Sequence, residues 1–198
     1  MRTVIFATSN EGKMKEIREL LGDLDIELLS LKDAGLKPAI EENGVTFEEN
    51  AIIKAKEVMK LTGEIVLADD SGLEVDFMEK APGVYSARFL GEDTSYLIKN
   101  QHIIDQLTAA EGNERSARFV CAIACAFPDG RIITHRATVE GMIAKEISSG
   151  STGFGYDPIF YVPEYGCTMS DMTPEQKNTI SHRGKALRAM KEVIKEHL

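Results

Sequence analysis

The 198-residue sequence predicts a mixed β-sheet flanked by helices, a fold of the α/β or α+β class. Two kinds of connection point to it. In the N-terminal part, apolar runs of strand character alternate with segments of helical periodicity, which calls for crossover connections. Farther along, two long β-rich runs are separated only by Pro128-Asp129-Gly130, the signature of a hairpin. A third observation fits both: the polar motifs fall at the ends of these elements, where such folds build ligand sites.

Taken in order, TVIFA (Thr3 to Ala7) is a buried strand, and KMKEIRELL sets Met14, Ile17, Leu20 and Leu21 at helical spacing. IELLSL is the second strand; Pro38 and Gly44 then break periodicity in a loop that carries Glu41 and Glu42. Thr46-Phe47-Glu48-Glu49 has capping-box spacing, and Phe47, Ala51, Ala55 and Val58 line one face of a helix ending near Gly63. EIVLADDSG returns to a strand, expected to stop at Asp69-Asp70. A helix is expected from Thr94 to about Ala110, followed by the hairpin strands ARFVCAIACAF and RIITHRATVEG. In Ser149 to Pro163 the glycines come early and the apolar residues late, so an exposed loop leads into a strand. Ser181 caps a final helix with Ala186, Leu187, Met190, Val193 and Ile194 inward. With neither repeats nor a linker, residues 1–198 read as a single domain of one or two lobes.

Composition narrows the function. At 43% hydrophobic and 28% charged residues, the chain can bury a sizeable core. No apolar run approaches the ~20 residues of a membrane span, and Met1-Arg2 leads into a strand-like segment rather than a signal-peptide core, so a cytoplasmic protein is expected. The net charge of −9 weighs against nucleic-acid or membrane partners and favours a small charged ligand. Cys121, Cys125 and Cys167 lack C-x-x-C spacing; on one strand, Cys121 and Cys125 would share a face about 13 Å apart, too far for a disulfide, and are expected to be reduced.

The stretch VIFATSNEGKM is not a Walker A loop, since Ala7 stands where the first glycine belongs and Met14 where the metal-binding hydroxyl belongs. It is still a strand-to-helix turn whose free N–H groups and helix dipole suit an anion. Ser9 or Asn10 is available as cap, Gly12 leaves room for a phosphate, and Lys13 supplies a mobile charge. Asp69-Asp70-Ser71-Gly72 is either a metal-binding acid pair or an Asp turn. Lys13, Lys54, Lys177 and Arg183 together match a nucleoside triphosphate, with its roughly four negative charges. Phe154, between Gly153 and Gly155, either stacks on a planar base or anchors a core; Asp157 and His182 lie at similar element ends.

Together these segments resemble the inosine triphosphate pyrophosphatase family. The resemblance is carried in order by TSNEGK (Thr8 to Lys13), GVTFEENAIIKA (Gly44 to Ala55), ADDSGLEVD (Ala68 to Asp76), APGVYSARF (Ala81 to Phe89), TGFGYDPIF (Thr152 to Phe160) and SHRGKAL (Ser181 to Leu187). It implies an elongated mixed sheet with two lobes around a central nucleotide cleft, and a homodimer. The implied activity is Mg²⁺-dependent hydrolysis of ITP, dITP and XTP to the monophosphate and pyrophosphate, with Mn²⁺ as a substitute ion. By motif, Thr8, Ser9, Asn10, Glu11, Gly12 and Lys13 would hold phosphate, and Ser71 would contact substrate. Asp70 would be proton acceptor and metal ligand, with Lys13 and Lys54 neutralising phosphate charge. Glu41 would be the second metal ligand, with its neighbour Glu42 and, beside Asp70, Asp69 as alternatives. Phe154, Gly155, Tyr156, Asp157, Lys177, His182 and Arg183 would surround the nucleotide.

Overall fold

The computed structural model describes residues 2–197. In chain order the elements are β1 (Arg2–Phe6), α1 (Glu11–Leu21), β2 (Ile26–Ser30), α2 (Phe47–Thr62), β3 (Ile65–Val75) and α3 (Tyr96–Gln106). They continue with β4 (Ser116–Ala126), β5 (Ile132–Ile143), β6 (Phe160–Val162), β7 (Cys167–Thr168), α4 (Pro174–Ile180) and α5 (His182–Lys195). Among the described residues the strands form one seven-stranded sheet in the order β2-β1-β3-β4-β5-β6-β7. β1 pairs in parallel with both β2 and β3, whereas β6 is antiparallel to β5 and β7. The expected mixed sheet with flanking helices is what the chain forms. Its residues divide into two compact units, the first comprising the described chain up to Asp70, Cys121–Ala137 and the described chain from Arg183 on, the second Ser71–Val120 and Thr138–His182.

In the first unit both faces of the sheet are covered, because the central runs Val4–Phe6, Ile65–Ala68 and Cys121–Ala126 are apolar at every position. Val4, Phe6, Ile65 and Leu67 pack with Cys121 and Cys125 against Met14 and Ile17 of α1 and Leu187 and Met190 of α5. The intervening residues Ile5, Val66, Ala68 and Ala124 pack against Ala51, Ala55 and Val58 of α2. Cys121 and Cys125 thus share a face as expected, and among the described residues no cysteine is in a disulfide. Asn10, not Ser9, caps α1, its Oδ1 accepting from Lys13 N at 3.0 Å. Thr46 Oγ1 caps α2 by accepting from Glu49 N at 3.1 Å, while the Glu49 carboxylate takes Val45 N at 2.7 Å, one residue outside the usual box.

One expectation is corrected here. β3 does not stop at Asp69-Asp70 but continues through them to Val75. Asp-Asp-Ser-Gly has the composition of a turn, yet each carboxylate meets polar partners on its own face of the sheet, so the extended backbone is retained.

The second unit is built on Leu73 and Val75 of β3, Phe119 of β4, Ile103 and Leu107 at the end of α3, and Ile159, Phe160, Met169 and Met172. α3 starts at Tyr96 under a Ser95 cap and ends at Gln106, short of Ala110. The buried Arg115 guanidinium explains the early stop. It donates to Leu107 O at 2.7 Å and Ala110 O at 3.3 Å, as well as to Ile143 O at 2.7 Å, taking up carbonyls that a longer helix would use. The helix α4 is not among the sequence expectations. It has a full capping box, Thr173 Oγ1 accepting from Gln176 N at 3.2 Å and Gln176 Oε1 from Thr173 N at 2.9 Å, with Pro174 in the first turn. Ser181 N closes α4 on Lys177 O at 2.9 Å and directly precedes α5. Among the described residues no helix is long and apolar enough to cross a membrane.

Candidate active site

The strand order β2-β1-β3 sends successive parallel connections in opposite directions from β1, so a crevice is expected beyond the carboxyl ends of β1 and β3. β1 pairs with β3 only as far as Phe6 opposite Leu67, and Ala7 N makes the last link to Leu67 O at 2.7 Å. Beyond it the chain turns into α1. Thr8 is pinned there by its N–H to Phe6 O at 2.7 Å and by Leu31 N on its own carbonyl at 3.2 Å, while Ser9, Asn10, Glu11 and Gly12 are exposed at the helix start.

Because a strand alternates its side chains, the two adjacent acids of β3 face different helices. Asp69 follows Leu67 to the α1 and α5 face. It is buried, receives Lys13 Nζ at 2.9 Å, and has Arg183 Nε at 3.5 Å; Arg183 in turn donates to Glu16 at 3.0 Å. Burial alone would raise the Asp69 carboxyl, but Lys13, then Arg183 and Lys54, more than offset it and hold it well below the usual carboxylate range.

Asp70 follows Ala68 to the α2 face. Asn50 Nδ2 donates to its Oδ2 at 3.0 Å, and Lys54 Nζ lies 3.9 Å from its Oδ1 while also bonding Glu42 Oε2 at 3.0 Å. Here burial wins over Lys54 and Asn50, Glu42 and Asp69 add repulsion, and the Asp70 carboxyl is raised. The two acids differ in kind: Asp69 is a firmly ionised anchor for cations, and Asp70 is a carboxylate with raised proton affinity. Of the Glu41-Glu42 pair, Glu42 joins Lys54 and Glu41 is exposed, as adjacent loop side chains diverge. Asn50 was not singled out from the sequence, although it lies one helical turn before Lys54 on the same face of α2. Its Oδ1 takes Gly44 N at 2.8 Å, so one amide ties the acidic loop to Asp70.

Glu42 and Asp70 form an all-oxygen donor pair converging on one cationic group. Among the described residues no group of three or more His, Cys, Asp or Glu is set to hold a metal ion. Two carboxylates are too few for a calcium cage but match Mg²⁺, which keeps waters and takes substrate phosphates as further ligands.

The second unit holds the remaining residues. Asp157, buried, accepts through Oδ2 from Phe154 N at 2.8 Å and from Lys177 Nζ at 2.6 Å, so one carboxylate folds the loop and holds the lysine. Lys177 Nζ also stands 5.4 Å from the Phe154 ring centroid. Gly153, at φ +88°, is packed so closely by Asp157 and Lys177 that it leaves no space for a Cβ. Of the two readings left open for Phe154, the structure gives the exposed ring, 63% accessible on its Gly153–Gly155 support. Tyr156 is buried, its hydroxyl donating to Ser86 O at 2.6 Å. His182 stacks on Phe119, ring centroids 5.1 Å apart and 14° from parallel. Ser71 is half-buried on β3.

A model of the Ham1 family matches residues 4–193. The chain belongs to the Ham1 family. Its relatives within the family include a dITP/XTP pyrophosphatase of Desulforamulus reducens, 47% identical over 96% of this chain and 94% of that protein. Another dITP/XTP pyrophosphatase, from Bacillus licheniformis, is 45% identical over 98% of both chains. The solved Ham1 protein of Coxiella burnetii superposes with a TM-score of 0.92 at 42% identity, covering 99% of this chain and 100% of its own. That of Staphylococcus aureus gives 0.91 at 36% identity over the whole of both chains. The Ham1 fold therefore holds across the full length.

Proposed function

We propose that this chain is a nucleoside triphosphate pyrophosphatase that hydrolyses the non-standard purine nucleotides ITP, dITP and XTP to the monophosphate and pyrophosphate, clearing them from the nucleotide pool. The observation that carries the reading is the sharing of Lys54 by Glu42 and Asp70, which sets two carboxylates and a cation together one residue along β3 from Asp69, the partner of Lys13. The names of the relatives support the substrate class. Glu42 and Asp70 would hold Mg²⁺, or Mn²⁺ in its place; when bound, the ion compensates charge on phosphate oxygens. Asp70 accepts the proton of a water attacking the α-phosphorus. Lys13 and Lys54 neutralise the phosphate chain while pyrophosphate leaves.

Base recognition would fall to Phe154, Lys177 and His182. Phe154 offers a stacking face, and Lys177 and His182 offer donors to a 6-oxo group. Adenine presents an amino group at that position, leaving those donors opposed, a mismatch that discriminates by ~10⁴ or more in sites of this kind. The test is steady-state hydrolysis of ITP, XTP, GTP, ATP and dTTP with product identification, with and without chelator. ITP and XTP should exceed ATP by at least ~100-fold in kcat/KM, and GTP, which shares the 6-oxo group, should fall as far behind through its 2-amino group. Orthophosphate with a diphosphate would move the attack to the γ-phosphorus, and sustained turnover in excess EDTA would remove the metal from the scheme. Binding without turnover would make the chain a nucleotide sensor.

A further inference from the structure

We infer that Asn100 of α3 is a positioning residue for Phe154, acting through the carbonyl of Gly155, and thereby sets how well the chain grips a nucleotide base. Asn100 is 2% exposed, and its Nδ2 donates to Gly155 O at 3.0 Å. Its other end is a buried Oδ1 with no hydrogen-bond partner among the described residues. An unpaired buried acceptor is a standing cost that an apolar side chain of similar size would avoid. What the amide supplies is therefore its donor, and among the described residues that donor goes to Gly155 O.

The destination matters because Gly155 adjoins Phe154 and, at φ +68° with no Cβ to restrict it, relies on contacts from outside the loop to fix its backbone. Tyr96, one turn before Asn100 on the same face of α3, meets the loop's next residue edge to face, Tyr96 and Tyr156 ring centroids lying 5.1 Å apart. Between them Lys99, 1% exposed, donates to Ala87 O at 2.7 Å, while the Tyr156 hydroxyl holds Ser86 O. The first turns of α3 thus clamp two loops, and Asn100 is the member that reaches the backbone next to the exposed ring. Asp157 fixes the amide of Phe154 from one side and Asn100 the following carbonyl from the other.

This inference rests on the proposed role of Phe154 as a base-stacking group, and its test separates the two. The chain contains no tryptophan, so Phe154→Trp installs a single fluorescent reporter on the loop, readable without any substrate. In that background Asn100→Leu, which keeps the volume and removes the donor, should lower the steady-state anisotropy of the indole and raise its quenching by acrylamide; Asn100→Gln supplies a donor on a longer arm and should restore part of the order. Unchanged anisotropy in a folded Asn100→Leu protein overturns the inference. If that variant does not fold, Asn100→Ser and Asn100→Asp serve, the latter keeping the shape while setting a carboxylate against the Gly155 carbonyl.

With native Phe154, Asn100→Leu should raise KM for ITP about 10-fold with kcat within about 2-fold, and the effect should vanish in a Phe154→Ala background, since a residue acting through the ring has nothing left to act on. Additive losses in that cycle overturn the inference. Ordered fluorescence results with no turnover of any triphosphate would instead overturn the enzymatic reading and leave the positioning role standing.

Discussion

At the scale of single residues, the two adjacent aspartates of β3 should respond in opposite directions to the same substitution. Asp69 is depressed by Lys13 and Arg183, so it contributes stability that is present above the ordinary carboxylate pKa of 3.8 and lost as pH falls through its folded-state value. Asp69→Asn takes the carboxylate from Lys13 and leaves the buried Arg183 with Glu16 alone, and should destabilise the protein by about 3–5 kcal/mol, measured by urea unfolding at pH 7. Asp70 is raised, so the folded state keeps its proton while the unfolded chain has released it, and ionising it costs stability as pH rises above 3.8. Asp70→Asn should therefore raise Tm by a few degrees at pH 7 while lowering kcat by about 10³-fold, because it removes a carboxylate needed as proton acceptor. A fall in Tm for this variant, or near-normal kcat, would remove Asp70 from the assigned role. His182→Ala should narrow the gap between ITP and ATP, whereas Lys13→Ala should weaken all triphosphates about equally; uniform loss in both would place His182 with the phosphate-binding or structural residues.

At the scale of elements, α4 is the part whose stability is easiest to tune. Its seven residues are too few for a helix to persist unaided, and the Thr173/Gln176 box supplies two of its end contacts. Thr173→Ala should cost about 0.5–2 kcal/mol locally and accelerate amide exchange over 174–180, raising KM through Lys177 with little change in Tm. Unaltered exchange there would show that Lys177–Asp157 alone holds the helix. α4 also shows what the sequence discloses and what it withholds. Its box is as plainly spelled as that of α2, but none of its residues is buried, so no apolar stripe marks it as one marks α5. α2 and the Pro128–Gly130 hairpin were legible because their signals are local. The length of β3 was not, since Asp-Asp-Ser-Gly reads as a turn until its partners across space are known. Nor was the pairing of Glu42 rather than Glu41 with Lys54, which depends on where an aperiodic loop passes that lysine.

At the scale of the molecule, the chain passes between the two units at 70/71, 120/121, 137/138 and 182/183. The first three points lie inside β3, β4 and β5, and the fourth in the first turn of α5. Neither unit can melt without releasing strands that belong in part to the other. Calorimetric unfolding should accordingly show one transition, with the calorimetric enthalpy equal to the van't Hoff enthalpy, and two resolved peaks would contradict this. The net charge of −9 belongs to the same scale: duplex DNA should bind weakly at physiological salt, and tight binding with a steep salt slope would reveal a basic surface that the composition hides.

The alternation along β3 also behaves as a parity rule. Even positions Val66, Ala68 and Asp70 belong to α2, and odd positions Ile65, Leu67 and Asp69 to α1 and α5. Inserting or deleting one residue between Ile65 and Ala68 would exchange the two aspartates, placing the anchor where the proposed proton acceptor stands and turning every apolar side chain of the segment to the wrong layer. Lineages of this chain can therefore lengthen almost any loop one residue at a time, but this stretch only by twos.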